Sequence, residues 1–215
     1  VDLVPISRPP GQNNIGMIAW IRTMKVPEKP DGRQIVVIAN DASHSAGSFG
    51  PKEDALFKAA TELGLKRKLP IIYLSVNSGA RFGLAEEVRS KFKVAWTNDS
   101  DPAKGFQYLY LEDADYENIK ASVKAEAFVT EYGEKRWILT DVIGAEDGIG
   151  AECLSGSGAI ATAFSKAYHE GFTLTFVTGR AIGIGAYLSR LGHRVIQRVD
   201  QPIILTGYAA LNKSV

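Results

Sequence analysis

Gly179, Gly183 and Gly185, with Arg180 among them, are the residues of this chain best suited to chemistry, and that chemistry is the binding of negative charge. Where Cβ is absent, main-chain N–H groups can approach a ligand closely. These residues stand in segment 172–192, FTLTFVTGRAIGIGAYLSRLG. It alternates apolar and β-branched residues as far as Val177, breaks at Thr178-Gly179, and resumes at helical spacing with Ala186, Tyr187, Leu188 and Leu191. Strand, glycine turn and helix therefore follow one another, and the turn's N–H groups lie at a helix N-terminus, where negative charge is favoured. Arg180 adds a permanent cation with a flat donor fork. The segment reads as an oxyanion site with an anionic substrate tail held nearby; a purely structural glycine turn is the alternative.

Other candidates carry less. Gly183-Ile184-Gly185 lacks the third glycine of a dinucleotide fingerprint, Leu188 standing in its place, and no acidic residue follows at ribose spacing. Ser157 would need a glycine two residues to either side to form a nucleophile elbow, but Ser155 and Ala159 occupy those positions. His44, between Ser43 and Ser45, reads as a solvent-facing loop residue, and His169 and His193 as exposed helix-end residues. Glu146-Asp147 reads as a turn and Cys153 as a small buried hydrophobe. Three histidines and one cysteine at these spacings do not form a zinc site. What remains is main-chain chemistry, from Ser78-Gly79-Ala80 and from Gly183-Ile184-Gly185.

The elements that must carry these turns are legible as periodicities. Residues 1–14 read as a proline-rich arm, 15–26 as a strand, 27–32 as a turn and 34–39, QIVVIA, as a strand covered on both faces. A glycine-rich loop over 40–50 precedes an amphipathic helix over 51–66, with Leu56, Phe57, Ala60 and Leu63 on one face. Residues 70–76, PIIYLSV, form another buried-type strand, and 84–92 return to helix. A strand at 108–111 follows, then an acidic loop running into a helix or turn to about 124. A hairpin of 127–132 and 135–139 turns around Gly133, and 141–150 is a glycine-punctuated loop. A helix over 152–171 leads into the segment described first. Short strands at 194–197 and 202–206 follow, and a new helix begins from Gly207. Buried-type strands alternating with helices specify an α/β layer fold. IIYLSVNSGARFGLAEEV and LTFVTGRAIGIGAYLSRL echo each other as strand, small-residue turn with arginine, and helix. No linker divides the chain.

The 215 residues suffice for one sizeable core. A formal net charge of +1 gives no support to nucleic-acid or membrane-surface binding. No apolar run reaches the roughly 18 residues of a membrane span, and no signal-peptide pattern opens the sequence. The lone cysteine fits a reducing compartment.

Seven stretches carry a resemblance: NIGMIAW at 14–20, GSFGP at 47–51, NSGAR at 77–81, KGFQYLYL at 104–111, EDG at 146–148, RAIGIGAYL at 180–188 and QPIILTG at 201–207. Together, and in this order, they resemble the carboxyltransferase domain of eukaryotic multidomain acetyl-CoA carboxylase. The resemblance implies a ClpP/crotonase-like α/β fold of repeated ββα units in a superhelix. It makes residues 1–215 the N-terminal crotonase-like subdomain, truncated at its C-terminal end. It also implies carboxyl transfer from carboxybiotin to acetyl-CoA, giving malonyl-CoA for fatty acid synthesis, without metal at this step. The protein would mainly hold oxyanions while the ureido nitrogen takes the α-proton.

Carried over position by position, the resemblance makes Arg180 the coenzyme A contact. The N–H groups of Gly183 and Ala80 become the catalytic donors, with Gly79 and Gly185 as shape-permitting neighbours. Leu154, Ser157 and Tyr187 line the acetyl or biotin pocket, where herbicide-type inhibitors bind in the family. The implied partners are the C-terminal carboxyltransferase half of a dimer mate and the biotin carboxylase and biotin carrier regions. No Met-Lys-Met biotin acceptor occurs in the chain. Alone, the chain is expected to carry half a site, to be inactive, and to self-associate through uncovered apolar surface. The implied compartment is cytoplasm, with plastid as the alternative. Two other classes stay open: a crotonase-type acyl-CoA hydratase or isomerase, which needs pocket glutamates, and a non-catalytic coenzyme A-binding or interaction fragment.

Overall fold

The apolar runs at 34–39 and 70–76 lie side by side as parallel strands, because only strands covered on both faces are apolar at nearly every position. The computed structural model describes residues 3–9, 11–81, 84–144 and 153–206. The chain divides into two units, 1–81 with 154–215, and 82–153. In chain order the elements begin with β1 (Met17–Val26), β2 (Lys29–Asn40), α1 (Pro51–Lys66), β3 (Ile71–Ser75), α2 (Glu86–Arg89) and β4 (Lys93–Trp96). They continue with β5 (Phe106–Glu112), α3 (Asp113–Ile119), β6 (Val123–Val129), β7 (Lys135–Val142) and α4 (Cys153–Glu170). The last are β8 (Thr173–Val177), β9 (Ala181–Ile182), α5 (Ile184–Leu191), β10 (Arg194–Gln197) and β11 (Ile203–Ile204).

The first unit is built on a five-stranded sheet ordered β1-β2-β3-β8-β10. β1 and β2 form an antiparallel hairpin, whereas β2, β3, β8 and β10 run parallel, with Val36 opposite Ile71, Ile71 opposite Thr173, and Arg194 opposite Leu174. Each parallel strand is followed by a short segment that pairs with its counterpart from another repeat. Phe49, after β2, bridges Ala80, after β3. β9, after β8, pairs with β11, after β10. Long strand, short strand and helix recur, which is the repeated ββα unit of the crotonase-like class and the origin of the echo in the sequence.

The core of this unit joins sheet to helices through Phe57 of α1, Tyr73 of β3 and Phe164 of α4, all fully buried and meeting edge to face. Val36, Ile38, Ile71, Ile160 and Leu188 complete it. Each such side chain contributes roughly 1.5–3 kcal/mol on burial. The second unit is an antiparallel sheet ordered β4-β5-β7-β6 around Ala85, Val88, Leu111, Ile119 and Val123. Tyr116 of α3 stacks on Trp137 of β7 with ring centroids 3.7 Å apart.

Several boundaries differ from the periodicity. The turn expected over 27–32 contracts to Pro27-Glu28, since Val26 already pairs with Lys29; the register shifts between Met24 and Val26. The helix expected over 84–92 is one turn, Glu86–Arg89. Val88 and Phe92 share its core at helical spacing, but Lys91 and Phe92 only cap it by donating to the Val88 carbonyl. β4, absent from the sequence reading, follows directly. The hairpin strands extend to Val123–Val129 and Lys135–Val142, with Gly133 in the connecting turn as expected. The expected 202–206 strand is only Ile203–Ile204. The far part of the 141–150 loop, including Glu146-Asp147, and the helix expected from Gly207 lie outside the described residues. No described helix is long and apolar enough to cross a membrane.

Candidate functional site

β3 and β8 are parallel neighbours with Ser75 opposite Val177, so the two small-residue turns leave the same end of the sheet. The Ser75 carbonyl accepts the N–H groups of Thr178 (3.0 Å) and Gly179 (3.3 Å), fastening the second turn to the first strand. Asn77, fully buried, finishes the junction. Its main-chain N–H donates to the Arg180 carbonyl at 2.8 Å. Its Oδ1 accepts the N–H groups of Gly79 (3.2 Å) and Ile182 (3.1 Å). A Cβ placed on Gly79 would lie 3.1 Å from the Ile182 carbonyl oxygen, and one on Gly183 would lie 4.0 Å from the Gly79 Cα. The two glycine turns thus lie against each other.

Accounting for the N–H groups decides which can bind an anion. Phe49 donates to the Gly79 carbonyl at 2.8 Å and accepts from the Arg81 N–H at 2.7 Å. In this parallel pattern Ala80, between them, turns its own N–H away from Phe49. That N–H has no acceptor among the described residues. Gly183 requires a correction, because its N–H donates to the Ile204 carbonyl at 2.9 Å as part of the β9–β11 pairing and is not free. The N–H groups without an acceptor among the described residues lie just beyond it, at Ile184 and Gly185 in the first turn of α5, while the Gly183 carbonyl accepts from Tyr187 at 3.0 Å. Gly183 is still obligatory, as its φ of 54° and ψ of −120° are open only to glycine. Gly185 is required by space, since a Cβ there would fall 2.0 Å from Asn77 Oδ1.

Arg180 is exposed and its side chain has no ion-pair partner among the described residues. Tyr187 is half exposed on α5. Ser157 lies on α4 with its hydroxyl buried and without a partner among the described residues. Leu154 belongs to the first turn of α4, but its side chain, like that of Cys153, lies outside the described residues. No hydrogen bond or ring contact described here joins the Arg180, Ser157 or Tyr187 side chains to the two turns. His44 is half-buried and His169 exposed. His193 is not a simple exposed helix end, because its ring stacks on Tyr168 (4.4 Å) and Phe172 (5.6 Å) and its Nδ1 faces Thr173. Among the described residues no cluster of three metal-ligating side chains occurs.

Sequence reasoning missed Glu53, Asp54 and Asn77. Glu53, 1% exposed, accepts the Gly16 N–H on Oε1 (2.7 Å) and the Gly50 N–H (2.9 Å) and Arg81 Nη2 (2.8 Å) on Oε2. It thereby holds the residue that follows Ala80. Beside it, the Asp54 carboxyl is buried against Gly156 of α4, where a Cβ would meet Oδ2 at 2.2 Å. Burial, then the neighbouring Glu53 charge, push Asp54 up to about 7, with Arg81 opposing. The one local signal was Glu53 three residues after Gly50, a spacing that supplies an acceptor at a helix start.

The carboxyl transferase domain family matches residues 27–215. The chain is 58% identical over 211 residues to acetyl-CoA carboxylase 1 of Oryza sativa, covering 98% of this chain and 9% of that protein. It is 59% identical to acetyl-CoA carboxylase 1 of Arabidopsis thaliana, covering 99% and 9%. Against the mitochondrial acetyl-CoA carboxylase of Saccharomyces cerevisiae it is 52% identical, covering 99% and 10%. The chain therefore spans about a tenth of the length of these relatives. In three dimensions it is similar to the transcarboxylase 12S crystal structure, with a TM-score of 0.55 at 14% identity, covering 93% of this chain and 25% of that one. Glycine turns with unspent main-chain donors, the ββα repeat and the match over 27–215 agree, and the chain belongs to the carboxyl transferase domain family.

Proposed function

We propose that this chain supplies the acyl-CoA-binding half of a carboxyltransferase site that makes malonyl-CoA from acetyl-CoA for fatty acid synthesis. The observation that carries the proposal is the meeting of the two glycine turns, with the Ala80 and Ile184 N–H groups unspent and Arg180 exposed beside them. Main-chain donors of this kind stabilise the oxygen of a thioester as charge develops on it. The exposed Arg180 guanidinium suits a phosphate-bearing tail. The carboxyl donor is carboxybiotin on a carrier region, and when bound it supplies the carboxyl group and the ureido nitrogen that accepts the α-proton. The new C–C bond replaces the N–C bond, so no protein side chain has to serve as base. Within this reading Ala80 and Ile184 hold oxyanions, Gly79, Gly183 and Gly185 shape the turns, and Leu154, Ser157 and Tyr187 line the pocket that herbicide-type inhibitors enter. The C-terminal half of a dimer mate completes the site.

A hydratase or isomerase of the same fold class would need a free pocket glutamate. Glu53, the carboxylate beside the first turn, is instead committed to Gly16, Gly50 and Arg81. Titration of acetyl-CoA against the chain and its Arg180→Ala variant tests the proposal. We expect at least about tenfold weaker binding in the variant, the scale of one charge-assisted contact; equal affinity removes Arg180 from the site.

A further inference from the structure

We infer that Asn77 is a positioning residue of the transfer reaction: its carboxamide fixes the Ala80 and Ile184 donors in one frame and so governs turnover without governing coenzyme A affinity. The inference rests on the carboxyltransferase reading above. All four hydrogen-bonding positions of the carboxamide are used. Oδ1 accepts Gly79 and Ile182, while Nδ2 donates to Ser75 Oγ at 3.1 Å and to the Tyr73 hydroxyl at 3.4 Å. The two N–H donors on one side dictate which end of the amide faces them. The carboxamide is 0% exposed, and Gly185 lacks a Cβ where the amide lies.

The network continues past Asn77 on both sides. Tyr73 donates to Asn40 Oδ1 at 2.7 Å, and Asn40 Nδ2 donates to the Gly47 carbonyl at 3.1 Å, two residues before the Phe49 that brackets Ala80. On the other side the Ser75 and Ser189 hydroxyls are hydrogen-bonded at 3.1 Å, Ser189 giving its own proton to the Gly185 carbonyl at 2.8 Å, which ties in the helix whose first turn presents Ile184. One satisfied polar chain therefore runs beneath both donor turns and rigidifies them together. Arg180 is reached differently, since only its carbonyl is held, and by the main-chain N–H of Asn77. Side-chain substitution at 77 leaves that bond in place, which is why rate and affinity should separate.

The test uses Asn77→Ala and Asn77→Asp in the intact carboxylase polypeptide that carries these residues, with malonyl-CoA formation as the assay. For Asn77→Ala we expect kcat to fall by about 10²-fold, as when oxyanion donors are misplaced, with KM for acetyl-CoA within about 3-fold of wild type. Asn77→Asp keeps the shape and carries the test should the alanine variant not fold. Protonation of the introduced carboxyl restores a donor toward Ser75 and Tyr73, so the ratio of variant to wild-type kcat should climb as pH falls. Tyr73, whose burial pushes its phenol far above its ordinary value, stays neutral throughout. Wild-type kcat in either variant, a loss confined to KM, or a ratio that does not change with pH would overturn the inference. A failed Arg180→Ala test removes the coenzyme A reading; normal turnover at position 77 with Arg180→Ala still weakening binding removes only the role of Asn77.

Discussion

The carboxamide oxygen of Asn77 accepts the main-chain N–H of Ile182 at 3.1 Å, across 105 positions of sequence. That bond makes the ends of β3 and β8 a single rigid junction, and a second bond from Asn77 Oδ1 to Gly79 extends the junction to the residue before Ala80. One buried amide therefore links the two turns, through a local bond to Gly79 and a bond to Ile182 that nothing local would reveal.

Gly185→Ala and Gly183→Ala should fail for different reasons. At 185 the new methyl would fall within 2.0–2.3 Å of the Asn77 carboxamide atoms, an overpacking that costs about 1–3 kcal/mol. At 183 the nearest atoms are 3.9–4.0 Å away, and the cost, about 1–3 kcal/mol, is backbone strain alone. Thermal denaturation of double variants separates them: Asn77→Ala should partly rescue Gly185→Ala and should not rescue Gly183→Ala.

Glu53→Ala leaves the Gly16 and Gly50 N–H groups and Arg81 without their shared acceptor. We expect a loss of about 3–5 kcal/mol, measured as a fall in the urea midpoint at unchanged m. Asp54→Ala, by contrast, should not lower the midpoint as far, because no hydrogen bond to Asp54 Oδ1 is forfeited.

Asp54 should make stability depend on pH. In the folded chain it holds its proton up to about 7, whereas its ordinary value is 3.8. Between these values the folded state binds more protons than the unfolded one, so stability falls as pH rises through the window and is level above it. Asp54→Asn removes that slope. The stability gap between variant and wild type should widen from about pH 4 to about pH 7, reaching at most a few kcal/mol, and stay constant beyond. A gap independent of pH would show that Asp54 does not titrate in this window.

Strand, glycine turn and helix were legible at 172–192 because periodicity and turn composition are local properties. The ββα echo was legible for the same reason. The spacings of Asn77 to Gly79 and of Glu53 to Gly50 are local, but the bonds that join separate segments were opaque, because Ile182, Gly16 and Arg81 lie 105, 37 and 28 positions away, distances over which one sequence carries no pairing signal. The role given to the Gly183 N–H failed on a pairing between strands of two residues, β9 and β11, too short to show a period. The unit formed by 82–153 was not legible because the small-residue stretches at its ends, 77–83 and 141–150, read as ordinary turns between elements of one layer fold. At His193, stacking on Tyr168 and Phe172 overrode the expectation that a residue after a helix end faces water.

Phe49 engages the Gly79 carbonyl and the Arg81 N–H on either side of Ala80 and leaves the Ala80 N–H directed away from it. A donor held this way belongs to the chain and not to any side chain. Any residue at position 80 other than proline keeps that N–H, so substitution there changes the side chain beside it without erasing the proton it offers.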